Sequence, residues 1–317
     1  MKHIALCAAV VAGASLPLLG TTAASGAVPP PAAVLLRVGT YNIRTSSGDK
    51  GTPNAWTERR DDVLALIRKL DLDAFGLQEV DPGQAEFLNK ELPEYGMVGE
   101  YRNADRRSGE ASPVFYRKDR FVVEKSGTFW LSETPDVPGK KGWGAAFPRV
   151  CTWALLRDRR SGKSLVFANT HTDHKSELAK KEGMLLIIRR MREFAPEGTP
   201  IVFTGDHNCR EIDAPAVAVS EILTNALYVS KTTPEGPWRT LNLWKWQDRE
   251  FPVADALKLP QADRNAGTVC GGHRIDYIYV SKGVEVLEHK THADPRPGTK
   301  LYPSDHFPVT ARIILPD

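Results

Sequence analysis

Six short polar blocks carry the residue types that can do chemistry in this chain. They are Tyr41-Asn42-Ile43-Arg44, Leu77-Gln78-Glu79-Val80, Asn169-Thr170-His171, Thr204-Gly205-Asp206-His207-Asn208, Arg274-Ile275-Asp276-Tyr277 and Pro303-Ser304-Asp305-His306. Most of them begin or end a short apolar run that reads as a strand, so each can present one or two polar side chains at a sheet edge. Carboxylates, amides and imidazoles gathered there would make a hard, oxygen-rich site for a divalent metal, with histidines available to handle a phosphate.

Hydrolysis of a phosphate ester needs charge neutralisation of the phosphoryl oxygens, an activated water and help for the leaving oxygen. Asn42 and Glu79 offer an amide oxygen and a carboxylate at strand ends, and Asp305 offers a further carboxylate beside His306. Such ligands suit Mg²⁺ or Mn²⁺ rather than zinc, and no Cys pair or His-Glu-x-x-His spacing argues for zinc. Asp206 and Asn208 project from one turn, alternate residues facing the same way. One can bind or deprotonate the attacking water while the other donates to a phosphate oxygen. His171 and His306 are phosphate donors or proton carriers in this scheme, and Asp276 can fix the His306 imidazole in one tautomer. Taken singly, each block has a plain reading: a solvated loop pair for Asp305-His306, a turn for Gly205-Asp206, a loop cap for Asn42, a core histidine for His171. Only their joint occurrence favours the chemical one.

The elements that must position these residues are legible from pattern. Strand-like runs fall at 35–41, 73–78, 113–117, 121–131, 150–157, 164–170, 200–205, 275–280 and 306–314, several of them apolar throughout, as in strands covered on both faces. Helical patterns occupy Arg59 to Leu70, with Val63, Leu64, Ile67 and Leu70 on one side, and Ser176 to Phe194, opening on the plausible cap Ser176. A third runs from Asp213 to Leu223. Strands outnumber helices, which predicts an α/β layered sandwich with helices covering mixed sheets rather than a plain βαβ repeat. The Trp-, Pro- and Gly-rich stretch 231–273 reads as long active-face loops.

Size and charge bound the function. The 317 residues, 41% hydrophobic and 26% charged, have ordinary globular composition. Lys2 and His3 precede an apolar run from Ile4 to Gly20 and then small residues to Ala27, the pattern of a secretory signal cleaved after Ala24 or Ala27. Residues 28–34 form a Pro-rich leader, and 35–317 are expected to be one catalytic domain, monomeric, exported and without stable membrane insertion. The formal charge of +3 becomes +2 without Lys2 (41 basic against 39 acidic), which excludes a polybasic nucleic-acid binder. Cys151, Cys209 and Cys270 remain after export, so one bridge plus one thiol is the simple arithmetic. Cys209 follows Asp206 and Cys270 precedes Asp276, which favours Cys209–Cys270; three buried thiols are the alternative.

In this order and combination, the blocks resemble the endonuclease/exonuclease/phosphatase superfamily across about Leu35 to Ile314. The resemblance implies a four-layer sandwich of two mixed β-sheets flanked by helices, with the site at one end of the sheets. It implies metal-site roles for Asn42, Glu79 and Asp305, water activation by Asp206, a phosphate ligand in Asn208, a catalytic dyad of Asp276 and His306, and a phosphate-side role for His171. The suspected bridge joins the loops that a disulfide joins in secreted deoxyribonucleases. The family turn commonly reads Gly-Asp-Phe-Asn, whereas His207 stands here in place of the aromatic. The strings from Gly127 to Ser132 and from Asn169 to His174 resemble a secreted bacterial branch.

The expected activity is therefore Mg²⁺- or Mn²⁺-dependent hydrolysis of a phosphate ester by direct attack of water. A nuclease or phosphodiesterase is favoured over a phosphomonoesterase acting on sugar or inositol phosphates or a sphingomyelinase-like lipid hydrolase, although the near-neutral charge weakens the nucleic-acid case. A non-catalytic binding protein on the same fold is the rival from another class. Among secondary candidates, Arg102, Arg106, Arg107 and Arg149 read as solvated charges, with phosphate contact as the alternative. Trp143 and Trp238 read as packing, with stacking on a base or sugar as theirs. Asp173 and His174 either extend the metal site or cap the next helix.

Overall fold

Alternation with a period of two sorts almost every strand residue to one of two faces. The structure, a computed structural model, describes Met1 and residues 34–316. The expected signal segment, 1–27, and the leader up to residue 33 lie outside the described residues apart from Met1. The first four strands, β1 (Leu35–Asn42), β2 (Ala74–Gln78), β3 (Tyr95–Val98) and β4 (Val114–Arg117), build one sheet. The next six, β5 (Phe121–Trp130), β6 (Val150–Asp158), β7 (Ser164–His171), β8 (Ile201–Asp206), β9 (Thr224–Asn225) and β10 (Asp276–Val280), build a second. The chain then returns to the first sheet with β11 (Glu285–Thr291) and β12 (Val309–Ile314), giving the orders β11-β12-β1-β2-β4-β3 and β5-β6-β7-β8-β10-β9. Both sheets are mixed: β1 runs parallel to β2 and β7 parallel to β8, while the other pairs are antiparallel.

Three apolar layers follow. Leu36, Val38 and Ala74 of the first sheet meet Leu165, Phe167, Val202 and Ile278 of the second. The outer face of the first sheet (Tyr41, Phe75, Leu77) is covered by α1 (Trp56–Leu70) and α2 (Pro82–Glu91). The outer face of the second (Val166, Ala168, Phe203) is covered by α3 (Glu177–Phe194) and α4 (Ala214–Ser220). The result is a four-layer α/β/β/α sandwich.

The same alternation fixes where the polar residues go. Counting by twos from the inward Leu36 and Val38 reaches Asn42; from Ala74, Gln78; from Leu165 and Phe167, Asn169 and His171; from Val202, Asp206; from Ile278, Asp276. The space between the sheets is thus apolar along most of its length and polar at one end. Asn169 locks that end. It is fully buried, its Nδ2 donates to Leu77 O (2.8 Å) and Pro113 O (3.0 Å) on the other sheet, and its Oδ1 accepts from Gln78 Nε2 (2.6 Å). Gly76 makes room, since a Cβ there would lie 2.2 Å from Asn169 Oδ1.

Several boundaries and one pairing depart from expectation. The strand expected from 306 begins only at Val309, because Pro308 lacks a ladder donor. The helix expected from Asp213 to Leu223 spans only Ala214–Ser220, as α4. Sequence pattern did not flag β3, the two-residue β9, β11 or α2. Yet α2 opens on a complete capping box, Asp81 accepting from Gln84 N while Gln84 returns to Asp81 N, with Pro82 at the first position. β11 reads as polar because it is an edge strand, where charge guards against further pairing. The 231–273 loops hold two short helices, α5 (Val253–Ala256) and α6 (Gln261–Asn265), and Trp238 is buried there with Leu227, Val253 and Cys270. The Cys209–Cys270 bridge does not form: Cys209 packs under α3 and α4, Cys270 packs beside Trp238, and Cys151, Cys209 and Cys270 are all buried free thiols. Cys151 and Cys209 fill apolar volume in one cluster and Cys270 in another.

His207 continues the outer layer of the second sheet. Its ring stacks on Phe203 (4.7 Å between centroids) and Tyr279 (5.6 Å), and burial pushes its pKa down to about 3. In the unfolded chain this imidazole takes a proton near pH 6.5, and in the folded chain only near 3. Its contribution is therefore fully present above pH 6.5 and is lost as pH falls toward 3.

Two predictions follow from these contacts. Asn169→Ala takes a donor from the Leu77 and Pro113 carbonyls and an acceptor from Gln78 Nε2, and should lower unfolding free energy by about 3 kcal/mol; a loss under about 1 kcal/mol in urea melts would show the cross-sheet amide to be dispensable. His207→Phe should fold and lose less stability in acid, gaining about 2 kcal/mol on the native protein between pH 7 and pH 5. Parallel pH profiles for the two proteins would contradict it.

Candidate active site

At the polar end of the sandwich a cavity of about 490 Å³ opens between the two sheets. Glu79, His171, Asp206, Asn208, Asp305 and His306 line it. Asn42 and Asp276, both fully buried, sit beneath and hold these groups in place. All eight residues singled out from sequence therefore meet at one place.

From the first sheet, Asn42 Nδ2 donates to Glu79 Oε1 (3.0 Å) and across the gap to Asp206 Oδ2 (3.0 Å), while its Oδ1 accepts from Arg44 N (2.9 Å). As oriented, this amide aligns carboxylates; only a flip would turn its oxygen toward them. Glu79 leaves the strand with φ 61°, and its Oε2 accepts from Thr45 N (3.1 Å). Asp305 comes from the turn before β12. Its carbonyl accepts Asn242 N (2.7 Å) and Leu243 N (3.1 Å), so the 240–243 loop holds this segment. Arg44 reaches both acids, 3.8 Å from Glu79 and 3.8 Å from Asp305.

From the second sheet, Asp206 ends β8 after Gly205, where a Cβ would strike Thr170 O at 2.2 Å. Asp206 Oδ1 accepts from Asn208 N (2.9 Å), with Asn208 at φ 47°. The Nε2 atoms of His171 and His306 lie 3.5 Å and 3.7 Å from Asp206 Oδ2. His306 Nδ1–H donates to Asp276 Oδ2 (2.9 Å), and Thr240 Oγ1 accepts the backbone N–H groups of Ile275 and Asp276 behind it. Asp206, Asp276 and His306 thus bring ligand-type atoms within 4.8 Å of one another. We read that trio as a proton relay, because the Nδ1–Oδ2 bond already engages two of its atoms.

The charges are tuned by this packing. Burial raises the Asp206 carboxyl to about 7, against the opposing pull of His306. Burial alone would depress His306, but Asp276, Asp206 and Asp305 outweigh it and hold the imidazole well above its ordinary value. His171 is held well below its ordinary value by burial, then by Arg149 and His306, so it stays neutral. Burial raises Asp305, and the neighbouring charge of Glu79 adds to it; Glu79 itself, despite burial, is lowered by Asn42, Thr45, His306 and Arg44. Two near-buried carboxylates facing one cavity, with Arg44 between them, form an oxygen donor set that fits a hard divalent cation.

Arg59, Glu110, Phe147 and Leu243 went unread in the sequence. Arg59 is fully buried and donates to Ile43 O (2.6 Å), Arg44 O (2.7 Å) and Pro303 O (3.1 Å), tying the Asn42 loop to the Asp305 loop. Its signal was present: it lies four residues before Val63, on the apolar stripe of α1. Arg149, expected among solvated charges, is only 6% exposed and lines the cavity with Arg102, whereas Arg106 and Arg107 are exposed. Glu110, Phe147 and Leu243 complete the walls. Asp173 braces the turn before α3 rather than capping the helix, whose N-cap is Ser176: Oδ1 accepts Lys175 N and Ser176 N, and Oδ2 accepts Ala146 N. His174 lines the cavity, its Nδ1 3.2 Å from Arg149 Nη2. Trp143 packs against the outer layer of the second sheet.

Comparison with known proteins agrees with this geometry. The Endonuclease/Exonuclease/phosphatase family model matches residues 39–306. An endonuclease/exonuclease/phosphatase from Bacteroides vulgatus has a similar structure (TM-score 0.76, 33% identity), covering 89% of this chain and 99% of that one. A mannosyl-6-phosphatase from Bacteroides thetaiotaomicron is similar over 88% of this chain and all of its own length (TM-score 0.76, 29% identity). An uncharacterized protein of Acanthamoeba polyphaga mimivirus is 27% identical over 160 residues, and the match spans 48% of this chain and 59% of that relative. Since the match runs from β1 to His306 and takes in all eight residues around the cavity, this chain belongs to the endonuclease/exonuclease/phosphatase family, whose members hydrolyse phosphate esters.

Proposed function

We propose that this protein is a divalent-metal-dependent phosphomonoesterase that releases inorganic phosphate from small hydroxylated esters by direct attack of water. The observation that carries the chemistry is Asp206, a buried carboxylate tuned to about 7, set between two imidazoles and facing the Glu79–Asp305 pair. Asp206 accepts a proton from water as the water oxygen bonds to phosphorus. Asn208 and the two histidines bind phosphoryl oxygens, and His306, kept protonated by Asp276, donates where negative charge grows. The phosphorus–oxygen bond to the alcohol breaks, and the departing alkoxide takes a proton from solvent water while Asp206 returns its own to solvent. A Mg²⁺ or Mn²⁺ ion held by Glu79 and Asp305 would supply the remaining charge neutralisation when bound.

Three observations favour a small monoester over the nucleic-acid reading. The cavity is walled on the Arg102–Glu110 side and by Leu243. Net charge is close to neutral, which gives little purchase on a polyanion. The mannosyl-6-phosphatase is similar along its full length. No helix among the described residues is long and apolar enough to cross a membrane. We also propose export, on the pattern of residues 1–27; N-terminal sequencing of secreted protein would test it.

Phosphate release from hexose phosphates should stop with a chelator and return with Mg²⁺ or Mn²⁺. Asp206→Ala and His306→Ala should each lower kcat at least about a hundredfold; near-native rates in either would place the chemistry elsewhere. Plasmid cleavage that is fast at low salt and collapses at moderate salt, without turnover of hexose phosphates, would restore the nuclease reading.

A further inference from the structure

The hydrolytic groups leave one wall of the cavity without a task. On the Glu79 side, Arg102, Glu110, Phe147 and Arg149 line the space, and none of them enters the steps above. A recess shared by Glu79, Arg102, Glu110, Arg149 and His171, and not by Asp206 or Asn208, joins this wall to Glu79. Attack in line puts the leaving oxygen opposite the water, hence on the side of the phosphorus away from Asp206.

The wall is built, not incidental. Arg102 Nη1 donates to Glu110 Oε2 (2.5 Å), and the Arg102 carbonyl is itself fixed by the Trp130 Nε1–H (2.7 Å). Arg149 is 6% exposed, with Nε 3.9 Å from Asp173 and without a hydrogen-bond partner. Phe147 is 47% exposed, with the Arg102 guanidinium 4.8 Å from its ring centroid and the His174 ring stacked 6.0 Å away. A large aromatic is held at the rim with much of its surface open. The charges nearly cancel, Arg102 against Glu110 and Arg149 against Asp173. A second phosphate would find no surplus positive charge here.

A neutral alcohol fits instead. Each hydroxyl both donates and accepts, so neighbouring hydroxyls can satisfy a fixed carboxylate and a fixed guanidinium together. The C–H face of a saturated ring can lie on the open part of the Phe147 ring, where burial of apolar area adds to binding. We propose that Arg102, Glu110, Phe147 and Arg149 form the leaving-group subsite and that it takes the polyol ring of a hexose phosphate. This rests on the phosphomonoesterase reading above and adds the class of alcohol and the residues that select it.

The test compares kcat/KM of the full chain, with Mg²⁺, for mannose 6-phosphate, glucose 6-phosphate, adenosine 5′-monophosphate and p-nitrophenyl phosphate. The native protein should prefer a hexose phosphate to both others. Glu110→Gln and Phe147→Ala should each lower the ratio of hexose phosphate to p-nitrophenyl phosphate at least tenfold, and Phe147→Tyr should recover most of it. Phe147 is a rim residue, so its variants report on the subsite even if Glu110→Gln folds poorly. An unmoved ratio, including equal losses on both substrates, overturns the subsite, as does a native preference for the nucleotide or the aryl ester. Absence of phosphate release from all four would instead overturn the phosphomonoesterase reading, and the subsite with it.

Discussion

One buried amide holds the active end of this protein together. Asn42 ends a strand of the first sheet, and its Nδ2 is shared between Glu79 of the same sheet and Asp206 of the other. Without it, two buried carboxylates would face each other across an unsatisfied gap, a costly arrangement in a medium of low polarity. Asn169 repeats the device one layer down, joining β7 to the Leu77 and Pro113 carbonyls. The two sheets are bonded to each other by side-chain amides where the chemistry sits and by apolar contact along most of their length, with Arg120 bridging Leu35 O, Asp73 and Asp158 away from the site. Cross-sheet bonding of this kind keeps Glu79 and Asp206, which are 127 residues apart in the chain, in a fixed relation.

Backbone strain is concentrated at the same end. Arg44, Glu79 and Asn208 all have positive φ, at 56°, 61° and 47°. Each such residue costs about 1–2 kcal/mol relative to the right-handed region. At Glu79 the turn breaks the strict alternation of β2 and brings the carboxylate to the cavity rather than to either face of the sheet. Arg59 holds the Arg44 carbonyl, and Thr45 N–H occupies a Glu79 oxygen, so the strained loop is tied on both sides.

The electrostatics share one logic. Acids outnumber fixed cations around the cavity, and burial shifts each acid upward unless a donor or cation opposes it. Glu79 has four such partners and stays ionised; Asp206 and Asp305 have fewer and rise. A basic Asp206, with a cationic His306 and a neutral His171 each within 4 Å of it, follows from desolvation, neighbour charge and hydrogen bonding.

Sequence by itself determined the layers, most strand positions and the eight polar residues that meet. Those signals are local: alternating burial fixes a strand and its inward face, and a polar residue at an inward strand end has few places to go but the rim. Where local signals were mixed, the reading lapsed. β11 carries edge charges that hide its period, and α2 begins with Pro82-Gly83, which punctuates more often than it caps. Only the tertiary structure decided the rest. Arg149 looks like an ordinary surface charge until long-range packing buries it, and Arg59, though it lies on the apolar stripe of α1, finds its carbonyl partners only in distant loops. Cys209 and Cys270 lie near the site in sequence yet belong to separate apolar clusters. Sequence states which faces are apolar and which ends are polar; which loop closes over them depends on contacts between segments far apart, and no local period encodes those.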